Sequence, residues 1–478
     1  MKERAMFLAG EWTHRSQVIE VDDPGAGETI ATVPKGTAED METALNTAIE
    51  GKKIAAGLTT KQRMDILANT AQLVDDNVEE AAQLIATEGI KTINEARSEA
   101  SRAAETLRLS AEEARRLTGE TINFDQVSGN ADRHGYTFRF PLGIIGAITP
   151  FNDPLNLVAH KIAPAIAGGN AVILKPATQT PLSALWLTEK LLEAGLPAKV
   201  MNTITGSGSE VTPPLLESRE VRMITFTGGI EAGEKIAKQA GLKKLSMELG
   251  SNSPFLVFKD ANLDKAAEAA VGGAYGAGGQ NCLSVQRIFV HKEVEQSFTD
   301  KFIEKAKQLV TGDKKSEDTD MGPLISEDEA KSIMTNIENA KEQGAEVLLG
   351  GDHSNRFMYP TLVKHVPKDS TLYKEEIFGP VASLHTFSDY DEAIRSANEV
   401  NFGLQVGVFT NHLQTAHKAA HDLHVGGVII NDSSDFRVDA MPFGGVKGSG
   451  INREGVHNAI MDMTEPRVVS FKIEDDEQ

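Results

Sequence analysis

From about residue 143 onwards, short apolar runs alternate with longer segments of helical periodicity. GIIGAIT (143–149) is typical of a strand, NLVAHKIAPAIAGG (156–169) of a helix ended by glycines, and AVILK (171–175) of the next strand. The unit recurs through VMNTIT (200–205) and VRMITFTGG (221–229), with helical segments between them. Because strands that alternate with helices form parallel sheets covered on both faces, this pattern predicts an α/β protein of doubly wound type.

The same alternation resumes after Glu248, which predicts a second α/β domain, and 478 residues are too many for a single core. HGYTFRF (134–140) and RVVSFKI (467–473) alternate like edge strands, which pair with a partner subunit or a neighbouring segment. The predicted parts are a first α/β domain (1–121 and 141–248), a second α/β domain (249–441), small oligomerisation strands (122–140 and 464–478) and a return to the first domain (442–463).

Helices are predicted in two further places. The stretch from Lys61 to Leu117 is rich in Ala, Leu, Glu and Arg at helical spacing, which indicates long amphipathic helices. TPLSALWLTEKLLEAG (180–195) predicts a helix with Thr180 as its N-cap and Gly195 at its end.

Charge and cysteine content exclude several classes of protein. The formal net charge of -21 argues against nucleic acid as a partner, because phosphate backbones require a basic face. The N-terminus has no signal-peptide pattern, and no apolar run reaches the roughly 18 residues of a membrane span. A single cysteine forms no internal disulfide, so we expect a cytoplasmic protein without a membrane partner.

That single cysteine, Cys282, lies in the stretch GAYGAGGQNC (273–282). An isolated cysteine is more often a buried structural thiol than a reactive group. Here the surrounding glycines allow a ligand to approach the backbone closely, which favours a nucleophile. A nucleophilic thiol needs access, a base and donors for an oxyanion.

Two other segments supply candidates for those roles. In ITPFNDPL (148–155), Asn152 follows a predicted strand, where its amide is suited to an oxyanion; the alternative is an Asx turn beside proline. In SMELGSNSP (246–254), Glu248 stands between Met247 and Leu249, and apolar surroundings raise a carboxyl pKa toward that of a general base. The alternative for Glu248 is an ordinary ion pair at a strand edge.

Taken together, these segments resemble the aldehyde dehydrogenase superfamily, specifically its lactaldehyde- and sulfolactaldehyde-like branch, over nearly the whole chain. Further motifs that carry the resemblance, in the order of the family, are DDPGAGETIATVP (22–34), KPATQTP (175–181), FTGG (226–229), EEIFGPV (375–381) and MPFGGVKGSGINREG (441–455). The resemblance implies the aldehyde dehydrogenase fold, with two doubly wound parallel-sheet domains and a small β oligomerisation element. It also implies that the first domain (1–121 and 141–248) binds the dinucleotide and that the second (249–441) is the catalytic domain that carries the nucleophile.

The resemblance also implies a reaction. Cys282 attacks the aldehyde carbon, and the Asn152 amide with the Cys282 backbone N–H holds the oxyanion of the thiohemiacetal. Hydride then passes to the nicotinamide, and Glu248 activates the water that hydrolyses the thioester. Family members that transfer the acyl group to coenzyme A tend to lack a carboxylate at this position, so Glu248 favours release of a free acid.

The implied cofactor is NAD or NADP, and no metal is expected. GSGSE (206–210) is only superficially like the GxGxxG loop of other dinucleotide-binding folds. In the resembling enzymes the equivalent of Lys175 meets the adenosine ribose, a helix opened by two glycines faces the pyrophosphate, and an EEIFGPV segment holds the nicotinamide ribose and ring. The positions expected to bind the cofactor here are Pro150, Lys175, Thr178, Gly228, Gly229, Glu376 and Phe378.

Thr178 departs from the family pattern. The common KPxE segment has a Glu whose carboxylate bonds the ribose hydroxyls, and its replacement removes repulsion against a 2′-phosphate that Lys175 can pair with. We therefore predict that NADP is accepted alongside NAD, the alternative being that NAD use is simply retained.

The substrate residues are less constrained. Asp153 replaces an aromatic residue of the family's tunnel, which favours a polar aldehyde unless Asp153 caps a helix instead. Succinate-semialdehyde enzymes have arginines at the positions of His160 and Gly276, so that substrate loses support, and His160 itself is kept as a candidate substrate residue. Arg437 is the main candidate for an anionic tail, the alternative being a surface pair with Asp435 or Asp439.

Arg108, on a helix rich in glutamates, is a weaker candidate for the anionic tail. The expected activity is oxidation of a short 2-hydroxyaldehyde, such as lactaldehyde or 3-sulfolactaldehyde, by a homodimer or homotetramer. The alternatives are a succinate-semialdehyde or other anionic semialdehyde dehydrogenase, and a CoA-acylating enzyme.

Overall fold

The structure is a computed structural model that describes residues 2–473. In its first half the strands are β1 (Lys2–Glu3), β2 (Met6–Leu8), β3 (Glu11–Thr13), β4 (Val18–Asp23), β5 (Glu28–Pro34), β6 (Thr121–Ile122), β7 (Arg133–Pro141), β8 (Ile144–Ile148), β9 (Ala171–Lys175), β10 (Met201–Thr203), β11 (Val221–Thr227) and β12 (Lys244–Glu248). The helices there are α1 (Ala38–Gly57), α2 (Thr60–Asp76), α3 (Val78–Glu88), α4 (Ile93–Arg116), α5 (Asn156–Ala167), α6 (Leu182–Glu193), α7 (Gly208–Glu217) and α8 (Ile230–Gln239).

The second half continues the same kinds of element. Its strands are β13 (Ser253–Val257), β14 (Val285–His291), β15 (Glu346–Leu349), β16 (His353–Ser354), β17 (Phe357–Met358), β18 (Thr361–Lys364), β19 (Val381–Phe387), β20 (Gln405–Phe409), β21 (Gly427–Ile430), β22 (Gly450–Ile451) and β23 (Thr464–Lys472). Its helices are α9 (Leu263–Tyr275), α10 (Glu295–Ala306), α11 (Glu327–Glu342), α12 (Thr371–Lys374), α13 (Tyr390–Asn398), α14 (Leu413–Asp422) and α15 (Val456–Asp462).

Two large sheets organise the chain. The first has the order β22-β12-β11-β8-β9-β10-β2-β3, in which β8 to β12 are parallel and the other strands are antiparallel at the edges. The second has the order β15-β18-β19-β14-β13-β20-β21 and is parallel except at β15. The strands β8, β9, β13 and β14 are buried along their whole length, as strands covered on both faces must be.

A third sheet, of order β23-β7-β6, joins the two segments predicted as edge strands. β7 and β23 pair with each other in antiparallel register from Thr464 opposite Pro141 to Lys472 opposite Arg133. Phe138, Val468 and Phe471 remain more than half exposed on this sheet. Residues 474–478 of the predicted terminal segment lie outside the described residues.

Helix α4 brings charged residues to the substrate side of the molecule. Small apolar residues at helical spacing, Ala96, Ala100 and Ala103, pack its inner face into the core. Glu99 is also fully buried there, so this face carries a carboxylate into the interior. The predicted amphipathic helices between residues 61 and 117 are the helices α2, α3 and α4.

The predicted cap of helix α6 is wrong. Thr180 donates its hydroxyl to the Phe151 carbonyl and caps nothing. The first N–H groups of the helix, on Leu182 and Ser183, instead donate to the buried carboxylate of Glu88, each at 2.7 Å. A residue distant in sequence therefore satisfies the helix end, which local sequence patterns do not show.

None of the helices within residues 2–473 combines the length and the apolar composition that crossing a bilayer requires.

Candidate active site

The structure brings the three predicted catalytic residues to one cavity of about 520 Å³ between the two large sheets. We call it the inner cavity. Its lining includes all of the predicted catalytic and cofactor residues, namely Pro150, Asn152, Lys175, Thr178, Gly228, Gly229, Glu248, Cys282, Glu376 and Phe378. Most of them follow the carboxyl ends of β8, β9, β11 and β12, where open α/β sheets bind ligands.

Asn152 lies in the turn that joins β8 to α5, and its side chain is 6% exposed. Within residues 2–473 its amide forms no hydrogen bond, so it makes no Asx turn and its N–H groups are free. Asn152 also lines a second cavity, described below, and therefore stands at the junction of the two.

Cys282 follows a tight turn after α9. Ala277, Gly278 and Gly279 all have φ between 50° and 68°, a conformation that favours glycine. The glycines were expected to make room for a ligand, but a Cβ at Gly279 would lie 2.2 Å from the Gly379 carbonyl oxygen. The close approach of Gly279 is thus to the loop that carries Phe378, and the expectation is wrong for this glycine. Gly276, where a Cβ would meet no atom within 4 Å, lines a cavity as expected.

The Cys282 sulfur lies 3.7 Å from Asn281 Oδ1, and the residue is partly exposed at the cavity wall. Its backbone N–H has no acceptor among the described residues, which leaves it available to an oxyanion. Burial raises the pKa of the Cys282 thiol, and the nearby Glu376 carboxylate raises it further.

Glu248 ends strand β12, and its backbone pairs with Gly450 of β22. Neither carboxyl oxygen has a hydrogen-bond partner within the described chain, although the side chain is buried. Burial, and then the Glu454 carboxylate, raise the pKa of Glu248. The direction agrees with the sequence-based expectation for Glu248, and no ion pair of the kind considered as its alternative is present within residues 2–473.

The residues at the other end of the inner cavity fit a dinucleotide. Helix α8 begins after Gly229, where a Cβ would meet no atom within 4 Å, so its first N–H groups face open space. Lys175 Nζ donates to Thr178 Oγ1 at 3.2 Å, and Thr178 donates to the Gly206 carbonyl at 3.1 Å. Burial lowers the pKa of Lys175 to about 8. Gly208, in the segment set aside as a weak GxG match, also lines this cavity.

Glu376 and Phe378 close the inner cavity near the sulfur. Glu376 accepts a hydrogen bond from the Ser251 N–H at 2.8 Å, and burial raises its pKa to about 7. Phe378 adopts a positive φ of 51° and meets Phe151 edge to face, with the ring centroids 5.8 Å apart.

A second cavity of about 240 Å³, the outer cavity, lies on the other side of Asn152. Its lining is polar or small throughout: Lys91, Glu95, Ser98, Glu99, Arg102, Asn152, Asp153, Gly276, Ala277, Gln280, Asn281 and Asp435. Asp153 lines it and pairs with Lys91. The alternative of Asp153 as a helix cap is wrong, because α5 starts at Asn156 without a side-chain cap.

His160 and Arg437 lie behind this wall and line neither cavity. His160 Nε2 is 2.8 Å from Asp439 Oδ1 and 3.3 Å from Arg437 Nη2. Arg437 stacks on the Phe443 ring at 3.8 Å and lies 3.6 Å from Glu454, with its side chain 8% exposed. The expected alternative, a surface pair with Asp435 or Asp439, is therefore also wrong.

Arg108 lies outside the site. It is exposed on α4, where it pairs with Glu105 at 2.6 Å and with Asp75. The expectation that it contacts substrate is corrected, because a side chain neutralised twice on the outer helix face reaches neither cavity.

Sequence reasoning missed Lys91, Arg102 and Asp435, which line the outer cavity. A signal was present for one of them. Arg102 follows Glu95 and Glu99 at intervals of seven and three residues, so all three share one face of α4. Charged residues beside an inner alanine stripe indicate a polar site facing the interior. Among residues 2–473 no group of His, Cys, Asp and Glu is arranged to hold a metal.

Comparisons with known proteins agree with this geometry. The family model described as "Aldehyde dehydrogenase family" matches residues 12–469. The chain is 45% identical to aspartate-semialdehyde dehydrogenase 1 of Pseudomonas canavaninivorans, over 95% of this chain and 97% of that protein. It is 42% identical to 3-sulfolactaldehyde dehydrogenase of Priestia aryabhattai, over 99% of both. The crystal structure of NADP-dependent glyceraldehyde-3-phosphate dehydrogenase from Bacillus halodurans C-125, complexed with NADP, superposes with a TM-score of 0.97 at 35% identity, covering 99% of this chain and 100% of that one.

The two-sheet fold and the inner cavity thus define an oxidoreductase with a cysteine facing a dinucleotide cleft. The chain belongs to the aldehyde dehydrogenase family. This confirms the predicted fold and the prediction of an enzyme that oxidises aldehydes with NAD or NADP.

Proposed function

We propose that this enzyme oxidises a short 2-hydroxyaldehyde, of the lactaldehyde or 3-sulfolactaldehyde type, to the free carboxylic acid. The observation that carries the proposal is the lining of the outer cavity, where none of the described side chains is aromatic and Asp153, Asn281 and Arg102 are polar. An apolar substrate would leave these groups desolvated without partners, whereas hydroxyl and anionic groups satisfy them.

In this proposal the nucleophile is Cys282. Its thiol loses a proton to Glu248, whose two free carboxyl oxygens are available to accept it. The sulfur then bonds to the aldehyde carbon, and the Asn152 amide and the Cys282 backbone N–H donate to the resulting oxyanion. Loss of a hydride from that carbon, for which bound NAD or NADP would be the acceptor, would leave the thioester. Glu248, after releasing its first proton to solvent, removes a proton from the water that attacks the thioester. The C–S bond then breaks, the carboxylic acid leaves, and Glu248 returns the proton to the thiolate.

When bound, NAD or NADP supplies the hydride acceptor. The residues that would hold it are Lys175 and Thr178 at the adenosine ribose, the start of helix α8 at the pyrophosphate, and Glu376 with Phe378 at the nicotinamide. Since Thr178 presents no carboxylate and Lys175 is a cation at neutral pH, we propose that NADP is accepted as well as NAD.

A second candidate substrate is an anionic semialdehyde. The relative named aspartate-semialdehyde dehydrogenase 1 favours it, and Arg102 in the outer cavity is a suitable partner for a carboxylate. A CoA-acylating reaction is disfavoured by Glu248, since a base that activates water diverts the acyl group to hydrolysis.

The three-stranded sheet is proposed as the oligomerisation element of a homodimer or homotetramer. Half-exposed Phe138, Val468 and Phe471 on this sheet are apolar surface that a second copy would cover. We also propose that the enzyme works in the cytoplasm on a small-molecule aldehyde.

The test is production of NADH and NADPH from a panel of lactaldehyde, 3-sulfolactaldehyde, succinate semialdehyde, aspartate semialdehyde, benzaldehyde and hexanal, with Cys282→Ala as the blank. The hydroxylated aldehydes are expected to give the highest kcat/KM. Higher values for benzaldehyde or hexanal would reject the proposal. Products analysed with and without coenzyme A separate hydrolysis from acyl transfer.

A further inference from the structure

Glu376 and Phe378, the residues proposed to hold the nicotinamide, lie in a segment without regular secondary structure. Helix α12 ends at Lys374 and strand β19 begins at Val381, so neither a helix nor a sheet fixes the backbone between them. Phe378 has a positive φ of 51°, which costs energy in a residue other than glycine unless its surroundings hold it in place. The positions of both side chains are therefore set by contacts from other parts of the chain.

The Gln286 side chain holds the backbone on both sides of Glu376. Its Nε2 donates to the Glu375 carbonyl at 2.7 Å, and its Oε1 accepts from the Ile377 N–H at 3.0 Å. A neighbouring parallel strand would make the same two contacts, which here come from one primary amide. Gln286 is buried and lies on β14, four residues after Cys282.

The Asn252 side chain holds the start of the same segment. Its Nδ2 donates to the carbonyls of Tyr373 and Glu375, each at 2.9 Å. Its Oδ1 accepts from Arg287 Nε at 2.7 Å, and Arg287 Nη2 also donates to the Asn252 carbonyl at 3.2 Å. Asn252 and Arg287 are both buried, so the donor side of the amide holds the nicotinamide segment while its acceptor side is fixed by the guanidinium.

The short segment that follows Glu248 contacts the Glu376 carboxylate directly. The Ser251 N–H donates to Glu376 Oε1 at 2.8 Å, and a Cβ at Gly250 would clash with the same carboxylate. This segment is only four residues long, because β12 ends at Glu248 and β13 begins at Ser253. The proposed base and the Glu376 carboxylate are thus held at a fixed separation by a short piece of backbone.

We propose that Gln286 and Asn252 are positioning residues for the reaction, which act through Glu376 and Phe378. Neither of the two amides lines the inner or the outer cavity, whereas both of the residues they support line the inner one. Each amide stands four residues after a proposed catalytic residue, so the pieces of chain that carry the nucleophile and the base also fix the nicotinamide segment. The inference rests on the proposed function, because it takes from there the nicotinamide assignment of Glu376 and Phe378.

The expected effect is on rate more than on affinity. Misplacing reacting groups by about 1 Å can cost roughly 100-fold in rate, even when the change is made away from the chemistry. In the proposed function Lys175 and Thr178 hold the adenosine half of the cofactor at the other end of the inner cavity. A displaced nicotinamide segment should therefore slow hydride transfer while most of the cofactor affinity remains.

The experiment uses the full chain with Asn252→Asp and Gln286→Glu. Each exchange keeps the size of the side chain and one acceptor oxygen, and it replaces the amide donor by an oxygen that faces the Glu375 carbonyl. Asn252→Asp also keeps the contact with Arg287, as an ion pair, so the link to the rest of the fold remains. The two variants lie on different elements, and each tests the inference by itself if the other does not fold.

Asn170→Asp is the matched control for a buried amide. Asn170 is fully buried and its Nδ2 donates to the carbonyls of Ala165 and Met463, at 3.1 Å and 3.0 Å. It lines neither cavity, so this exchange has the same chemistry without touching the nicotinamide segment. Glu376→Gln is the reference for the nicotinamide site itself.

The measurements use NAD or NADP, whichever wild type turns over faster, and the aldehyde of the panel with the highest kcat/KM. Stopped-flow absorbance gives the rate of reduced cofactor formation in the first turnover, and a fluorescence titration gives the Kd of the reduced cofactor. The rate of Cys282 alkylation by iodoacetamide without cofactor reports on the nucleophile. Thermal unfolding reports on the fold.

Asn252→Asp and Gln286→Glu are each expected to lower the first-turnover rate by about 10- to 100-fold. The Kd of the reduced cofactor is expected to rise by less than about tenfold, and the alkylation rate to stay within about threefold of wild type. Glu376→Gln is expected to slow the first turnover to a similar extent. Asn170→Asp is expected to lower the unfolding temperature and to leave the first-turnover rate within about threefold of wild type.

A first-turnover rate close to that of wild type in Asn252→Asp or Gln286→Glu, together with a slow Glu376→Gln, would overturn the inference and leave the proposed function standing. A parallel fall in the alkylation rate would overturn it too, because the nucleophile itself would then have moved. So would an equal loss of rate in Asn170→Asp, which would assign the amides a merely structural role. An unchanged rate in Glu376→Gln is a different result, because it would overturn the nicotinamide assignment of the proposed function and the inference with it.

Discussion

Replacing Thr178 with Glu is expected to turn the enzyme toward NAD. In the structure Thr178 Oγ1 accepts from Lys175 Nζ at 3.2 Å and donates to the Gly206 carbonyl, and neither contact adds negative charge. A carboxylate at this position lies where the proposed adenosine ribose is held. It would pair with Lys175, repel a 2′-phosphate and accept hydrogen bonds from the ribose hydroxyls of NAD.

The size of the effect follows from the charges involved. Two unit charges about 4 Å apart interact with roughly 1 kcal/mol in water and about 4 kcal/mol near a protein surface. Thr178 is partly exposed, so an intermediate value within that range applies, and about 1.4–2.8 kcal/mol of discrimination against NADP is expected. This corresponds to a fall of roughly 10- to 100-fold in the ratio of kcat/KM for NADP to that for NAD.

The assay is initial-rate kinetics with each cofactor at saturating aldehyde, for wild type, Thr178→Glu and Thr178→Gln. Gln has nearly the size of Glu without its charge, so it isolates the electrostatic effect from the loss of the two hydroxyl contacts. A ratio that stays within threefold of wild type in Thr178→Glu would refute the reasoning. An equal fall in Thr178→Gln would refute it as well, since charge would then not be the cause.

Three further predictions concern single residues of the inner cavity. Cys282→Ala is expected to reduce NADH and NADPH production by roughly 10⁴-fold or more. The thermal unfolding temperature should not change, because the side chain is partly exposed. Turnover close to that of wild type would exclude the thiol as nucleophile. Glu248→Gln is expected to slow thioester hydrolysis by about 10²- to 10⁴-fold, so that mass spectrometry detects an acyl group on Cys282, and an unmodified enzyme at full turnover would contradict this. Lys175 has a pKa of about 8, so its charge is present below pH 8 and lost above it. The preference for NADP over NAD should therefore fall between pH 7 and pH 9. In Lys175→Met this preference should be low and independent of pH.

The sequence predicted those parts of the fold that depend on local periodicity. Buried parallel strands such as AVILK at β9 are apolar up to their last residue, and β9 is followed by a turn and helix α6. Asn152 could be located because a parallel sheet gathers the residues that follow its strands, and Lys175 was located by the family resemblance of its motif. Neither assignment required knowledge of a distant contact.

Features that depend on distant contacts were not predictable in this way. Thr180 has the sequence of a helix cap, yet the Glu88 carboxylate reaches the same N–H groups and replaces it. Gly279 has the sequence of a ligand-facing glycine, yet the Gly379 backbone occupies that space. In both cases the sequence indicated correctly that a contact is required, an acceptor at the helix N-terminus and a close neighbour at the glycine. It did not indicate which group makes the contact, because tertiary packing determines that.

The role of each arginine also depends on distant contacts that the sequence does not show. In sequence Arg437 was the main candidate for an anion ligand, Arg108 was a weaker one and Arg102 was missed, whereas their environments in the structure separate them clearly. Arg108 is neutralised at the surface, Arg437 is enclosed behind Phe443, and only Arg102 keeps a free donor on a cavity wall.

The enclosure of Arg437 has a consequence for the chemistry at Cys282. Burial raises the pKa of the Cys282 thiol, which favours the less reactive thiol over the thiolate. Arg437 opposes that effect, since its charge lowers the pKa of Cys282 and of Glu248. It stacks on the ring of Phe443, which belongs to the small apolar cluster that Cys282 packs against. A cation near the sulfur that forms no salt bridge with it can favour the thiolate without blocking attack on the aldehyde. The Glu454 carboxylate lies 2.6 Å from Lys161 and 3.6 Å from Arg437, which reduces the cost of burying these charges.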